Sequence, residues 1–307
     1  MNPSTGTWWP ILASSELGRK PLSRIRFGER LVFWRNGNEV VCMVDRCPHR
    51  GAALSLGRIN TDTGSIACPF HGLEFGANGH CTRVPVEHDY DIPADFGVLT
   101  YTTLEADDYI WLWRGPQPDS GLPDVPIHPD TLGMRHGDST GSWNAHYTRC
   151  IENVCDFSHL PFVHRTTIGL FKKDWVTDVQ VQEVPGGFRA MLQEHGSVGQ
   201  SFEFLYPNRW LLRLAPNIML GLVFAPIDAQ HTFVYSRTWH RLPLPGLKWL
   251  ADGYTRFSQY LVFREDWPIV ASQEPGDVLA ASAEKLFPSD APIMAYRKLH
   301  RSHMTRV

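Results

Sequence analysis

No apolar run in this 307-residue chain reaches the length of a membrane span. No excess of basic residues marks a face for nucleic acid: 29 Lys and Arg stand against 32 Asp and Glu, a formal charge of −3. The opening Met1-Asn-Pro-Ser-Thr-Gly-Thr-Trp-Trp9 lacks a charged region followed by a long apolar stretch, so no secretory signal is expected and a cytoplasmic location is. Without export, six cysteines read as thiols or metal ligands rather than disulfides. There is no internal repeat and no low-complexity tract. Charged residues are few, at 20%, against 43% hydrophobic, which suits a globular chain with a sizeable core and room for two domains or one large one. What is plentiful is Trp, at 11, and Pro, at 23, which favours a loop-rich, largely β chain.

Residues 1–46 hold short apolar runs at Trp8–Leu12, Glu29–Arg35 and Glu39–Val44. The last two are joined by Asn36-Gly37-Asn38, a hairpin turn. Strands continue over 74–114, with a turn at Asn78-Gly79 and a run at Tyr109–Trp113; His80 and Cys81 read as packing or surface residues. The stretch Arg114–Pro123 is dense in Pro and Gly and reads as a linker, which places one domain at 1–115 and a second at 116–307. Between 176 and 240, alternating stretches broken by Pro-containing turns predict an antiparallel sheet. Its apolar residues Phe202, Phe204, Trp210, Leu220 and Leu222, with Phe257 and Leu261 further on, read as core or as pocket walls. His231 and His240 read as core or surface histidines. From 246 to 273 the period changes, and Leu247, Leu250, Tyr254, Phe257, Leu261 and Phe263 suit a long amphipathic helix.

Two Cys/His pairs carry chemistry. Cys47-Pro-His49 is followed, eighteen residues on, by Cys68-Pro-Phe-His71. Zinc is the first competitor for a Cys₂His₂ set, but zinc pairs more often bring two ligands of one type. Here each loop brings one of each, which serves a two-iron cluster with both thiolates on one iron and both imidazoles on the other. Gly51, Gly57 and Gly72 are expected to supply tight turns. A second constellation is Asn153-Val-Cys-Asp156-Phe-Ser-His159-Leu-Pro161-Phe-Val-His164. Five residues on an unbroken helix rotate by about 500°, so the two histidines would miss a common face by roughly 140°. Pro161 is expected to stop the helix before itself, with His159 at the helix end and His164 swinging back beside it. Two imidazoles and a distant carboxylate make a facial triad for iron(II) with open positions for dioxygen. By itself this stretch reads as two ordinary histidines around a helix end. Cys150 and Cys155, flanking the helix, read as buried thiols.

Cys47-Pro-His-Arg-Gly-Ala and Cys68-Pro-Phe-His-Gly resemble the Rieske [2Fe–2S] loops of the Rieske non-haem iron oxygenases, the oxygenase (alpha) components of ring-hydroxylating and demethylating systems. The stretch from Asn153 to His164 is similar to that family's Asp-x-x-His-x₄-His iron motif. The resemblance runs from about Trp8 to the C-terminal region. It departs from the family at Phe70 and Leu73, which stand where aromatic residues often lie, and the chain is short for the family. What the resemblance implies is an α+β fold, with an N-terminal β-rich Rieske domain and a helix-grip catalytic domain built on a curved antiparallel sheet. It implies Cys47, His49, Cys68 and His71 as cluster ligands and His159 and His164 as iron ligands. Asp266 would be the third iron ligand, with Glu265 second in line. Asp156 would join a cluster histidine to an iron-ligand histidine across subunits, and Asn153 would face the site. The tail Asp290–Leu299 resembles the family's closing helix. The implied activity is monooxygenation (hydroxylation or O-/N-demethylation) of a small organic substrate, aromatic or aliphatic, with dioxygen. Electrons would come from NAD(P)H through a separate reductase, with or without a ferredoxin, to a homotrimer. The alternatives are cis-dihydroxylation of an aromatic ring, and a Rieske electron-transfer protein without oxygenase chemistry.

Overall fold

The computed structural model describes residues 6–87, 89–170, 178–194, 197–241, 248–281 and 283–304. The extreme N-terminus through Thr5 and Leu247 lie outside the described residues, as do the side chains of Leu250 and Tyr254. The chain divides into two compact units, meeting in sequence between Val125 and Pro126. The Pro/Gly-rich stretch 114–123 falls within the first unit, where Trp8 Nε1 donates to the carbonyl of Pro123 at 2.7 Å.

The first unit is three small antiparallel sheets. Strands Thr7–Ala13 and Thr103–Ala106 flank Tyr109–Arg114 in one. The second runs Leu22–Arg26, Glu29–Asn36, Glu39–Val44 and Thr100–Tyr101. Its central hairpin pairs Asn36 with Glu39, and Gly37 takes a φ of 61° in the turn, a conformation that costs glycine little. The third sheet runs Arg58–Asn60, Ser65–Ala67, Glu74–Phe75 and Cys81–Arg83. Cys81 is buried in the core with Trp34, Met43, Ile66 and Phe75, while His80 is exposed.

The second unit is one seven-stranded antiparallel sheet with helices on it. The spatial order is Arg135–Trp143, Thr232–His240, Ile218–Pro226, Arg209–Ala215, Ser197–Leu205, Gly187–Glu194 and Val179–Val184. The first strand in sequence therefore lies beside the last. Helix α1 spans Tyr147–Cys155, α2 Leu160–Val163, α3 Lys248–Val270 and α4 Ala291–Met304. Alternation puts Phe202, Phe204, Trp210 and Leu222 on one face. Tyr296 of α4 packs on Phe204 with ring centroids 5.2 Å apart, and Phe157, just after α1, packs on Phe202 at 5.2 Å. That is the face the helices cover, the grip the resemblance implies.

One strand was not anticipated from the sequence, and one expectation gives way here. Arg135–Trp143 does not read as a strand, because it is polar and holds two glycines, yet it pairs along its whole length with Thr232–His240. Phe263 of α3 packs on its Trp143 at 5.4 Å and lies 3.5 Å from where a Cβ on Gly141 would stand. The amphipathic reading of α3 also fails in part. Asp266 and Val270 are buried, but Phe257, Tyr260, Trp267 and Ile269 are exposed, so Phe257 is not a core residue. No described helix is long and apolar enough to cross a membrane.

Candidate metal centres

The two Cys/His loops share one hydrogen-bond plan. The amide of Cys47 donates to Ala52 O and that of Gly51 back to Cys47 O, both at 2.8 Å. The amide of Cys68 donates to Leu73 O at 2.8 Å and that of Gly72 back to Cys68 O at 3.1 Å. Gly51 and Gly72 close these turns at φ of 76° and 73°, where a side chain would be strained. Gly57 does something other than the turn expected of it. Its φ is ordinary, and a Cβ there would lie 1.9 Å from the carbonyl of Ala67, so it permits close approach to the strand that leads into the second loop.

The result is a set of four side chains with the right chemistry. Cys47 and Cys68 are buried and hydrogen-bonded to each other, and the rings of His49 and His71 lie 4.8 Å apart. Burial pushes the Cys47 thiol up to about 11, against the amides of His49 and Arg50, which hydrogen-bond its sulfur and lower it. Amides aimed at a sulfur are what a thiolate ligand requires. His71 Nδ1 is buried and has no hydrogen-bond partner among the described residues. Leu73 sits in the core, while Phe70 is exposed, stacks on the His71 ring at 4.0 Å and lies under the Arg50 guanidinium at 5.4 Å.

In the second unit, α1 ends at Cys155 with Asp156 as its C-cap. His159 does not end a helix. It is the N-cap of α2, with Pro161 in the first turn and His164 as the C-cap. Proline is at home there, because its missing N–H would have had no partner in the first turn anyway. One helical turn thus separates the two histidines, and the amide of Val163 donates to His159 O at 2.9 Å and that of His164 to Leu160 O at 3.0 Å. The imidazoles come to lie 5.2 Å apart.

Asp266 of α3 completes the group, and the ligand atoms of His159, His164 and Asp266 all lie within 4.8 Å of one another. Asp266 Oδ1 is 3.1 Å from His164 Nε2 and 3.7 Å from His159 Nε2, yet it is buried and accepts no aligned hydrogen bond among the described residues. Three convergent donors, two imidazole nitrogens and one carboxylate oxygen with an idle lone pair, fit a divalent iron. Burial lowers the His159 pKa. Burial also lowers that of His164, but Asp266 and Glu265 beside it more than compensate and raise it.

Glu265 is the residue that sequence reasoning assigned least well. Its Oε2 accepts a hydrogen bond from His164 Nδ1 at 2.7 Å, and its carboxylate also accepts from Thr166 Oγ1 at 2.9 Å and Thr167 Oγ1 at 2.5 Å. It fixes the tautomer that leaves His164 Nε2 free to ligate. Asp156 Oδ1 accepts from the amide of Ser158 at 2.6 Å, and Oδ2 lies 3.7 Å from His159 Nδ1, too far for a hydrogen bond. Asn153 on α1 has its Nδ2 buried with no hydrogen-bond partner among the described residues. Cys150 and Cys155 are fully buried, and burial pushes the Cys150 thiol up to about 12.

Residues 7–101 match the Rieske [2Fe-2S] domain family, and residues 143–209 match the vanillate O-demethylase oxygenase C-terminal domain family. The chain belongs to the Rieske non-haem iron oxygenases. Among its relatives in this family is the oxygenase component of dicamba O-demethylase from Stenotrophomonas maltophilia. The two are 30% identical over 203 residues, 60% of this chain and 57% of that one. The vanillate O-demethylase oxygenase subunit of Pseudomonas sp. (strain HR199 / DSM 7063) is 32% identical over 168 residues, 53% of this chain and 45% of that one. The chain thus spans about half the length of these curated relatives. Among solved Rieske oxygenase structures, NdmA of Pseudomonas putida CBB5 superposes with a TM-score of 0.81 at 26% identity, covering 96% of this chain and 88% of that one.

Proposed function

We propose that this Rieske oxygenase monooxygenates a small organic substrate, by hydroxylation or by O- or N-demethylation. The observation that carries this is the convergence of His159, His164 and Asp266 within 4.8 Å, in a chain that also has the two Cys/His loops. A Rieske electron carrier needs the loops and has no use for the triad. The relatives described as O-demethylases favour monooxygenation over cis-dihydroxylation.

Iron(II) held by His159, His164 and Asp266 would supply dioxygen activation, and a [2Fe–2S] cluster held by Cys47, His49, Cys68 and His71 would supply electrons singly. The protein's own part is positioning. Glu265 holds His164 in the ligating tautomer, and the turn of α2 sets the spacing of the two rings. Asp156, close to His159 Nδ1, is the carboxylate suited to accept that N–H and to join it to a cluster histidine of a neighbouring subunit in a homotrimer. The unpartnered amide of Asn153 suits a hydrogen bond near the iron. The electrons would come from NAD(P)H through a separate reductase, with or without a ferredoxin, in the cytoplasm.

Two measurements test this reading. Metal analysis of the brown protein is expected to give about three irons per chain, two in the cluster and one mononuclear; a protein with iron only in the cluster would be an electron carrier. Turnover under labelled dioxygen is expected to place one labelled oxygen in the oxidised product or released fragment, whereas two in a diol would mean dihydroxylation.

A further inference from the structure

The helices cover one face of the large sheet, the face of Phe202, Phe204 and Trp210. The opposite face holds a cavity of about 370 Å³, walled on one side by His128 and Asp130. The ladder sets the rest of it. Glu203 stands between Arg189 and Leu211 in one row, and Arg213 stands beside Met219 in the next. Each of these five adjoins, in its own strand, a residue of the helix-covered face, so all five side chains turn away from the helices.

The charges in the cavity wall hold one another in place. Glu203 Oε2 meets His128 Nε2 at 3.2 Å, while its Oε1 accepts from Arg189 Nε at 2.8 Å and also from Arg189 Nη2. The amide of Asp130 donates to His128 Nδ1 at 3.2 Å, which leaves the Nε2–H to face Glu203. His128 and Arg189 hold the Glu203 carboxyl down at about 2, against its burial, so Glu203 is an acceptor already in use. Arg213 Nη2 pairs with Asp130 Oδ2.

What remains is mostly donors. A guanidinium has five N–H groups. Arg189 spends two of its nitrogens on Glu203, but Arg213 spends only Nη2 on Asp130. Both arginines are half-exposed where they line the cavity, and Ser201 adds a hydroxyl beside them. Leu211 and Met219, both buried, supply an apolar floor. The volume lies at the small end of the range for ligand sites, roughly 300–1,000 Å³.

We infer that this cavity is a second binding site, for a small organic acid. The acid's carboxylate takes the spare N–H groups of Arg213, and its apolar body lies on Met219 and Leu211. Arg189 adds positive charge from across the cavity. An inorganic anion would leave the apolar floor unused, and a cation would face two guanidiniums. The site is on the far side of the sheet from the helices that carry His159, His164 and Asp266, so it goes beyond the oxygenase reading and does not depend on it.

The test is titration calorimetry on protein with its cluster and iron loaded. The probes are 4-bromobenzoate, 4-bromobenzyl alcohol and 4-bromobenzylamine, alike in shape and different in charge. The benzoate is expected to bind at least about tenfold more tightly than the other two. Arg213→Gln is expected to cut benzoate affinity by about fivefold or more, and Arg189→Gln by less. Asp130→Asn frees Arg213 of its competitor and is expected to tighten benzoate by roughly threefold, a gain that a merely structural role would not produce. It carries the comparison if the arginine variants fold poorly. In crystals of the benzoate complex, the anomalous signal of bromine is expected within the cavity. Bromine on the helix-covered face alone would overturn the inference. So would equal binding of the three probes, tighter binding of the amine, binding of none, or a benzoate affinity that Arg213→Gln and Asp130→Asn leave unchanged.

Discussion

Glu265 and Asp266 are adjacent acids with different duties. On a helix, neighbours point about 100° apart, so one carboxylate reaches the two imidazole Nε2 atoms and the other reaches His164 Nδ1 from behind. Glu265→Gln keeps the shape but weakens the acceptor that holds the ring, and iron affinity is expected to fall by roughly 10–100-fold, read by dialysis against a chelator. Asp266→Ala is expected to lose the mononuclear iron altogether. If Glu265→Gln binds iron as tightly as the parent, the tautomer is set by something else. The sequence indicated that this acid pair mattered but not how the work divides, since that depends on the rotation of α3 about its own axis. Rotation in turn depends on packing such as Phe263 on Trp143. Cys47, His49, Cys68 and His71 were legible for the opposite reason: each pair sits within one short turn, and the turn chemistry is local.

Helix α1 leads into the histidine segment and is pinned to α4 by buried charges. Glu152 accepts from Arg149 Nη1 at 2.9 Å and from Arg297 Nε at 2.5 Å, and Glu284 reaches both arginines. Burial raises the Glu152 pKa in spite of the two cations, so the network is no great source of stability, but removing one member strands the others. Glu152→Ala is expected to cost roughly 3–5 kcal/mol in denaturant unfolding; a loss below about 1 kcal/mol would mean that water reaches the arginines. On α4, His300 lies between the hydroxyls of Tyr147 and Tyr206, and burial lowers its pKa from 6.5 to about 4, with Asp277 opposing and His146 and His303 adding to the shift. The unfolded chain binds this proton near pH 6.5 and the folded chain only near 4. The contribution is therefore complete above pH 6.5 and fades as pH falls toward 4, by on the order of 3 kcal/mol. His300→Phe should flatten the stability profile in that window, and an unchanged slope would assign it to other groups. Strands with alternating apolar residues were legible at this scale. Arg135–Trp143 was not, because its glycines answer to a helix packed over them, and nothing within the strand records that helix.

On the proposed assignment each of the two units holds its own ligand set, four side chains in the first and three in the second. Asp266→Ala is therefore expected to leave the cluster's colour and its reduced EPR signal intact while oxygenation disappears; loss of the cluster signal would mean that the two sets depend on each other. The order of motifs was plain in the sequence. What was not plain is that Ser139, Trp210, Ser236 and His240, from three strands, share one face of the sheet, since only the ladder register shows it. The sheet order has a temporal consequence too. The histidine-bearing segment follows the first strand, Arg135–Trp143, and the acid-bearing helix α3 is the first described element after the last strand, Thr232–His240. Those two strands are neighbours. Joining them closes a loop of nearly the whole sheet, a distant pairing that forms slowly, and ligation is coupled to it. A chain still emerging from the ribosome has its two imidazoles long before its carboxylate. With the proposed triad, the third ligand arrives only after the last strand has been made, so a half-made protein has no complete site at which to turn dioxygen on itself.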